Sequence, residues 1–356
     1  MNFEHIRTLV YDQPWSITLD KLAAIQQLLA MRLSGQKLEA EDIRDRIGAV
    51  DARRNTVRNG AIAVMPIYGV LLQRLDMLLE MSGGTSTDRL AKDFRALMGD
   101  PNIGTIVLDV DSPGGGVYGI GELAAEIFAA RSEKRIVAVV NSMAGSAAYW
   151  LATAAQEVVV TTGGEVGSIG CYMIHEDWSG AYEMAGVKPT LIKFGEHKAE
   201  GNDIEPLSEE ARDYIQKRVD GYGMDFVRDV AKNRGVDPAR VMKDWGQGRM
   251  FRAREAVRLG MADRVGTLQE TLLRLSGRTM TAGARAMAPG HDTGTNLRGL
   301  LEAIELEEGQ AGTVTGDGSG EALPPFDGDA YDPAARVLAP ERAAAQRDLA
   351  LARFRE

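Results

Sequence analysis

Val139-Val140-Asn141-Ser142-Met143-Ala144-Gly145-Ser146-Ala147-Ala148-Tyr149-Trp150 is the stretch from which the rest of this 356-residue chain is read. The apolar run at 136–140 predicts a buried strand, and the run at 147–152 predicts a helix after a few small residues. Ser146 falls at the junction. Unbonded N–H groups and the positive end of the helix dipole favour developing negative charge there. Serine is also among the best N-caps, so Ser146 by itself reads first as a cap.

Two other stretches turn that reading toward chemistry. Upstream, Ile106-Val107-Leu108-Asp109-Val110-Asp111-Ser112-Pro113-Gly114-Gly115-Gly116-Val117 reads as a buried strand, a Pro-Gly-Gly-Gly turn, and then a helix over 118–131. Glycines let backbone approach a ligand closely and leave N–H groups free to face an oxyanion. Downstream, Phe194-Gly195-Glu196-His197-Lys198-Ala199-Glu200-Gly201 puts a lysine between glycines, after a β-like run over 189–194. A lone lysine is ordinarily a solvated charge.

Taken with Val166-Gly167-Ser168-Ile169-Gly170, these pieces resemble the S49 (signal-peptide-peptidase-like) serine peptidases of the ClpP/crotonase superfamily. The likeness is strongest to the phage head-maturation branch. The motifs Asp111-Ser112-Pro113-Gly114-Gly115, Ala144-Gly145-Ser146, Val166-Gly167-Ser168 and Gly195-Glu196-His197-Lys198 come in the family's order, and the likeness covers residues 58–276. It implies an α/β fold, a ClpP/crotonase-like repeated β-β-α spiral with a mostly parallel sheet. The alternation of strands and helices from Ile103 onward independently carries the βαβ rhythm of such a sheet.

The resemblance also implies roles. Ser146 would be the nucleophile, Lys198 the general base and Ser168 the group that orients Lys198. Backbone N–H groups of Gly114 or Gly115, together with Ala147, would form the oxyanion hole; Asp111, Ser112 and Pro113 would support the loop. A free lysine, with a pKa near about 10.4, is protonated at neutral pH, and desolvation lowers that value by disfavouring the charge. Lys198 is therefore expected to be covered by substrate or by a neighbouring subunit. A histidine base (His175 or His197) fits less well, because residues 147–174 contain no histidine. No metal and no cofactor is expected.

Composition narrows the classes. There are 41 Lys and Arg against 51 Asp and Glu, a net charge of −10, which argues against nucleic acid as a partner. The single cysteine, Cys171, excludes an intrachain disulfide and a cysteine-rich zinc site, and it reads as buried core in a β-like run. The four histidines lack metal-ligand spacing. Neither a signal peptide nor a membrane anchor is expected, since polar residues interrupt the longest apolar stretch, 136–160.

The chain divides into a helical N-terminal extension (1–57), the peptidase domain (58–277), an acidic Gly-rich disordered linker (278–333) and a C-terminal helix or tail (334–356). In the first, Ser16 or Thr18 is expected to cap a helix carrying Leu22, Ile25, Leu28 and Leu29, with a short second helix at 41–47 and an exposed arginine-bearing linker at 51–58. The domain's first strand, 61–70, is read as interrupted by Pro66. Residues 209–234 form a long amphipathic helix and 249–263 resemble the family's domain-closing segment. Between Leu300 and Asp332 acids abound and there is no lysine or arginine, a composition that cannot bury enough apolar surface to order itself.

The leading expectation is a capsid-maturation protease acting on scaffold, portal or coat protein, in the host cytoplasm or the procapsid interior, as a homo-oligomer like its ring-forming relatives. A bacterial cytosolic S49 peptidase clearing peptides shares the chemistry. A crotonase-type acyl-CoA enzyme using Glu122 or Glu126, and a non-catalytic scaffold, stand further off.

Overall fold

The computed structural model describes residues 13–33, 56–74 and 84–277, all within one compact unit. The expected helix at 41–47, most of the linker at 51–58 and both tail segments, 278–333 and 334–356, lie outside the described residues. The first elements are β1 (Trp15–Ile17), α1 (Leu19–Leu33), β2 (Val57–Asn59), β3 (Ile62–Leu72) and β4 (Thr85–Ser86). Next come α2 (Thr87–Gly99), β5 (Thr105–Gly116), α3 (Ile120–Ala130), β6 (Arg135–Gly145), α4 (Ala147–Thr153), β7 (Glu157–Val160) and β8 (Glu165–Gly167). The remainder is α5 (Ser179–Met184), α6 (Glu209–Arg234), α7 (Pro238–Asp244), β9 (Met250–Arg252), α8 (Ala253–Leu259), β10 (Arg264–Val265) and α9 (Leu268–Leu275).

Local chemistry sets the helix ends. Ser86 starts α2 by accepting the Arg89 N–H at 3.3 Å, and Ser208 starts α6 through Ala211 at 3.2 Å. Gly235, at φ 64°, stops α6. Thr267 and Glu270 form a reciprocal capping box on α9.

The sheet is mixed and mostly parallel, in the order β10-β7-β6-β5-β3-β2. Its Val- and Ile-rich central strands are covered on both faces, as parallel strands require. One face packs Phe94, Ile120, Ile127, Leu151, Phe226 and Val230 from the helices into the main core. On the other, Val107, Val137, Val139 and Val159 pack against Leu272 of α9.

Pro66 does not interrupt its strand; β3 runs continuously and pairs with β5 through Pro66↔Asp109. Proline is tolerated because β2 pairs only up to Val64, which leaves that edge unclaimed at residue 66. The irregularity falls instead at Gly69, where φ is +66° and the register shifts between Tyr68 and Val70.

The long strands bend. β6 arches away from β5 between the pairs Val110↔Val140 and Ser112↔Ala144. Side chains bridge the arch: Asn141 donates to Asp109, Ser142 to Asp111, and the Thr161 hydroxyl to the Asn141 carbonyl. Beyond it the strands take new partners, β1 antiparallel on β5, β4 on β3, and β8 on β6 with β9 antiparallel outside it. Residues 113–116, expected as a turn, are strand, and the helix after them starts at Ile120. They stay extended because strands lie close on both sides. A Cβ on Gly115 would sit 1.7 Å from the Leu71 carbonyl oxygen, and one on Gly114 2.2 Å from that of Ser16. Likewise Trp15–Ile17, placed by sequence in a helical extension, is a strand of this sheet.

Gly115→Ala should cost about 3 kcal/mol or more, because the obstacle is backbone and cannot rotate away. Gly163→Ala, with nothing within 4 Å of the added carbon, should stay within about 0.5 kcal/mol. Urea unfolding of the two variants beside wild type checks both.

Candidate active site

β6 ends at Gly145 and α4 begins at Ala147, so the whole strand-to-helix turn is made by Ser146. Its backbone adopts φ 53°, ψ −117°, a conformation that side-chain-bearing residues rarely take. The conformation is imposed from both sides: the Ser146 N–H donates to Gly167 O at 2.7 Å, and its carbonyl accepts the Trp150 N–H at 3.0 Å. No helix N–H reaches the Ser146 side chain. The hydroxyl therefore does not cap; the turn swings it off the helix axis toward the ends of the strands.

α4 is held firmly behind this turn. All of its residues are buried. The Tyr149 hydroxyl donates to Met261 O at 2.8 Å, and burial pushes that phenol above its ordinary range. Trp150 stacks on Phe226 with ring centroids 4.5 Å apart, and its indole N–H donates to Asp229 at 2.9 Å. Arg234, at the end of α6, makes a two-pronged bond to Asp263, and Asp263 also accepts the Val158 N–H. Burial works against the Asp263 carboxylate, but these donors outweigh it and hold the group below the usual aspartate range.

The structure brings several of the expected residues together. A Cβ on Gly114 would lie 3.0 Å from that of Ser146. Gly145 pairs with Gly167, which places Ser168 directly after the residue that anchors Ser146. Ser168 has φ 55° and donates its N–H to Arg249 O at 2.8 Å. Ala147 is the first residue of α4, so its N–H is among those a helix leaves unbonded. Ser112 is fully buried, donates to Gly69 O at 2.6 Å and receives the Gly114 N–H at 3.2 Å, which ties the glycine strand to the β3 bulge.

Lys198 is not brought to this cluster. Its side chain is exposed, in a run of turns, and among the described residues it has no bond to Ser146 or Ser168. The β-like run expected at 189–194 is not a strand, and among the described residues it pairs with none. Its Ile192 and Phe194 side chains are 97% and 100% exposed. His197 bonds to Glu200, which raises the imidazole pKa, and is likewise away from Ser146. His197, Glu200 and Glu210 bring their ligand atoms within 4.8 Å of one another at this surface, a gathering that the sequence spacing did not disclose.

The residues that do touch the Ser146 hydroxyl were missed. Ser16 Oγ lies 2.6 Å from it, and Gly170 O lies 3.4 Å away. Ser16 was read only as a cap, and no local signal marks a contact across 130 residues of sequence. Cys171 is half-buried with its thiol on Val219 O at 3.1 Å; burial, reinforced by Asp220, pushes it up to about 11.

A profile of peptidase family S49 matches residues 129–279. The chain is 34% identical over 248 residues to capsid assembly protease C of Escherichia phage lambda, across 70% of this chain and 54% of that protein. It is 36% identical over 216 residues to the head-tail preconnector protein GP5 of Enterobacteria phage P21, across 61% of this chain and 42% of that one. To the putative signal peptide peptidase SppA of Enterococcus faecium it is 26% identical over 230 residues, 63% of this chain and 67% of that protein. The chain thus spans about half the length of the two phage proteins.

Two outcomes follow from the geometry. Ser146→Gly should be more stable than Ser146→Ala by about 1–2 kcal/mol, because both lose the hydroxyl but only glycine relaxes at positive φ; thermal melts of the pair decide this. Iodoacetamide at pH 8 should alkylate Cys171 much more slowly in the folded protein than in urea, since its thiolate is scarce while the fold is intact.

Proposed function

The chain carries a peptidase family S49 domain, and on that premise we propose that it is a serine endopeptidase working through Ser146 and Lys198 as a dyad. The observation that carries the reading is Ser146 itself. It is held at positive φ by bonds on both sides, its hydroxyl does not cap the helix, and its Cβ lies against Gly114 of the glycine strand. Strained backbone with a nucleophilic side chain turned away from its helix is how such turns present an attacking oxygen.

In this reading Ser146 Oγ attacks the scissile carbonyl carbon while Lys198 Nζ takes the hydroxyl proton. The oxyanion is held by the Ala147 N–H and by an N–H of Gly114 or Gly115, released from its bond to Ser112 or to β1 when substrate binds. The C–N bond then breaks, the lysine returns the proton to the leaving amine, and water cleaves the acyl-enzyme by the reverse proton path. Ser168 orients the lysine. Asp111, Ser112 and Pro113 hold the glycine strand in place. No cofactor takes part.

Lys198 must be covered to act as a base, and its segment carries the means. Ile192 and Phe194, a few residues before the exposed Lys198, are exposed apolar side chains, which a second copy of the chain would bury. We read the protein as a homo-oligomer, a ring among the arrangements, with the dyad completed on assembly. The fold reading is ClpP/crotonase-like, supported by long parallel strands whose far halves take new strand partners.

The substrates in this reading are proteins of an assembling phage shell, in the host cytoplasm or procapsid; the likeness to a protein named as a capsid assembly protease favours it. The likeness to a protein named as a signal peptide peptidase keeps a peptide-clearing cytosolic role as the second reading. Among the described residues no helix is long and apolar enough to cross a membrane.

Intact mass of wild type, Ser146→Ala and Lys198→Ala tests the dyad, each incubated alone and with a phage coat protein and a scaffold protein. Wild type should release defined fragments, and each variant should slow cleavage by about 10⁴-fold or more. Equal fragment yields from all three folded proteins would remove the dyad.

A further inference from the structure

Ser146 is 1% exposed, and what covers it is the chain's own N-terminal strand. We infer that residues 14–18 occupy the channel through which a substrate chain runs, so that this structure is a self-occupied, closed form of the enzyme. The inference rests on the protease reading for the identity of the channel; the occupancy itself is geometric.

β1 is hydrogen-bonded along both edges. On one side it runs antiparallel to the glycine strand, with Thr18 N–H to Pro113 O at 3.1 Å and Val117 N–H to Pro14 O at 3.2 Å. Antiparallel alternation then makes Ser16 and Gly115 the mutually bonded pair between them, which commits the Gly115 N–H to β1. On the other side Trp15 exchanges both backbone bonds with Tyr172, at 2.8 and 2.9 Å. An extended segment laid into a slot and bonded on both sides is how a sheet edge takes up a peptide.

Side chains alternate as a bound peptide's would. Ser16 points at the chemistry, 2.6 Å from Ser146 Oγ and donating to Gly170 O at 2.9 Å. Trp15 and Ile17, 1% and 2% exposed, point the other way into a pocket with Leu22, Val70, Leu72 and Tyr172. With Ser16 O lying 2.2 Å from a Cβ built on Gly114, no second backbone fits over Ser146 while β1 is in place.

The occupant is also built to leave. Its apolar contacts form a cluster separate from the main core, shared among the described residues with α1, the far end of β3 and the 172–174 segment. It is imperfectly satisfied as well: among the described residues the Thr18 hydroxyl and the Tyr172 hydroxyl are buried without a hydrogen-bond partner, a cost that disappears when the strand moves out. An extended peptide with apolar residues flanking the one over Ser146 is the chemistry that competes for the slot.

Ser16→Pro in the full chain tests this, because proline removes the ladder N–H facing Gly115. Two readouts are used. The first is fluorescence anisotropy of a labelled peptide of residues 11–20 on the Ser146→Ala protein, with and without Ser16→Pro. The second is the initial rate of hydrolysis of labelled casein by proteins that keep Ser146. Opening the channel should tighten peptide binding, and raise casein cleavage below saturation, by about tenfold or more. Should Ser16→Pro lose its cooperative melt, Ile17→Ala, which keeps the ladder and only empties the pocket, carries the same readouts. Folded variants that bind the peptide no better than wild type overturn the inference and make β1 a fixed part of the fold. Peptide binding that tightens while no variant cleaves casein keeps the self-occupied channel and counts against the protease reading instead.

Discussion

The site depends on how closely the backbones of β1, β3, β5 and β6 approach one another. At Gly114 and Gly115 neighbouring carbonyl oxygens stand where a Cβ would be. That contact brings the glycine strand against Ser146 and lets Ser112 reach from β5 to the carbonyl at the β3 bulge. A side chain on either glycine would push the glycine strand away from the nucleophile. Hydrophobic burial supplies the driving force for the fold, but the spacing at this point is set by hard atoms.

Polar bonds convert that packing into a shape. The arch in β6 leaves Asn141 and Ser142 facing Asp109 and Asp111 on the next strand. Asp109 is 4% exposed, so its partners are needed for it to be buried at all. Beyond the arch the strands take new partners, and Gly145 meets Gly167. α4, apolar on every side and clamped by Tyr149 and Trp150, gives the turn a fixed base. The unfavourable backbone angle at Ser146 persists because both of its peptide groups are bonded to elements that do not move independently.

Ser146 and Lys198 are treated very differently by the same fold. One is buried under the chain's own strand; the other stands in solvent on a segment whose Ile192 and Phe194 side chains are exposed among the described residues. Ser146 is packed within one chain, whereas among the described residues nothing covers Lys198. On the function proposed above, withdrawal of β1 and burial of the 187–201 segment would both precede a working site.

Much of this was legible in the sequence by itself. Unbroken Val and Ile runs determined the buried parallel strands, and the Ser86, Ser208 and Thr267 caps and Gly235 determined helix ends, because each depends on residues within a few positions. The ordered motifs at 111–115, 144–150 and 166–170 determined which residues meet at the strand ends. Other features were decided only by the tertiary structure. The run at 113–116 is strand because β1 and β3 flank it, and local glycine chemistry alone reads as a turn. Ser146 presents its hydroxyl instead of capping because Gly167 takes its N–H. Ser16 lies on the nucleophile because strand pairing joins residues 130 positions apart, and no local propensity encodes which distant backbone will come to fill an open sheet edge.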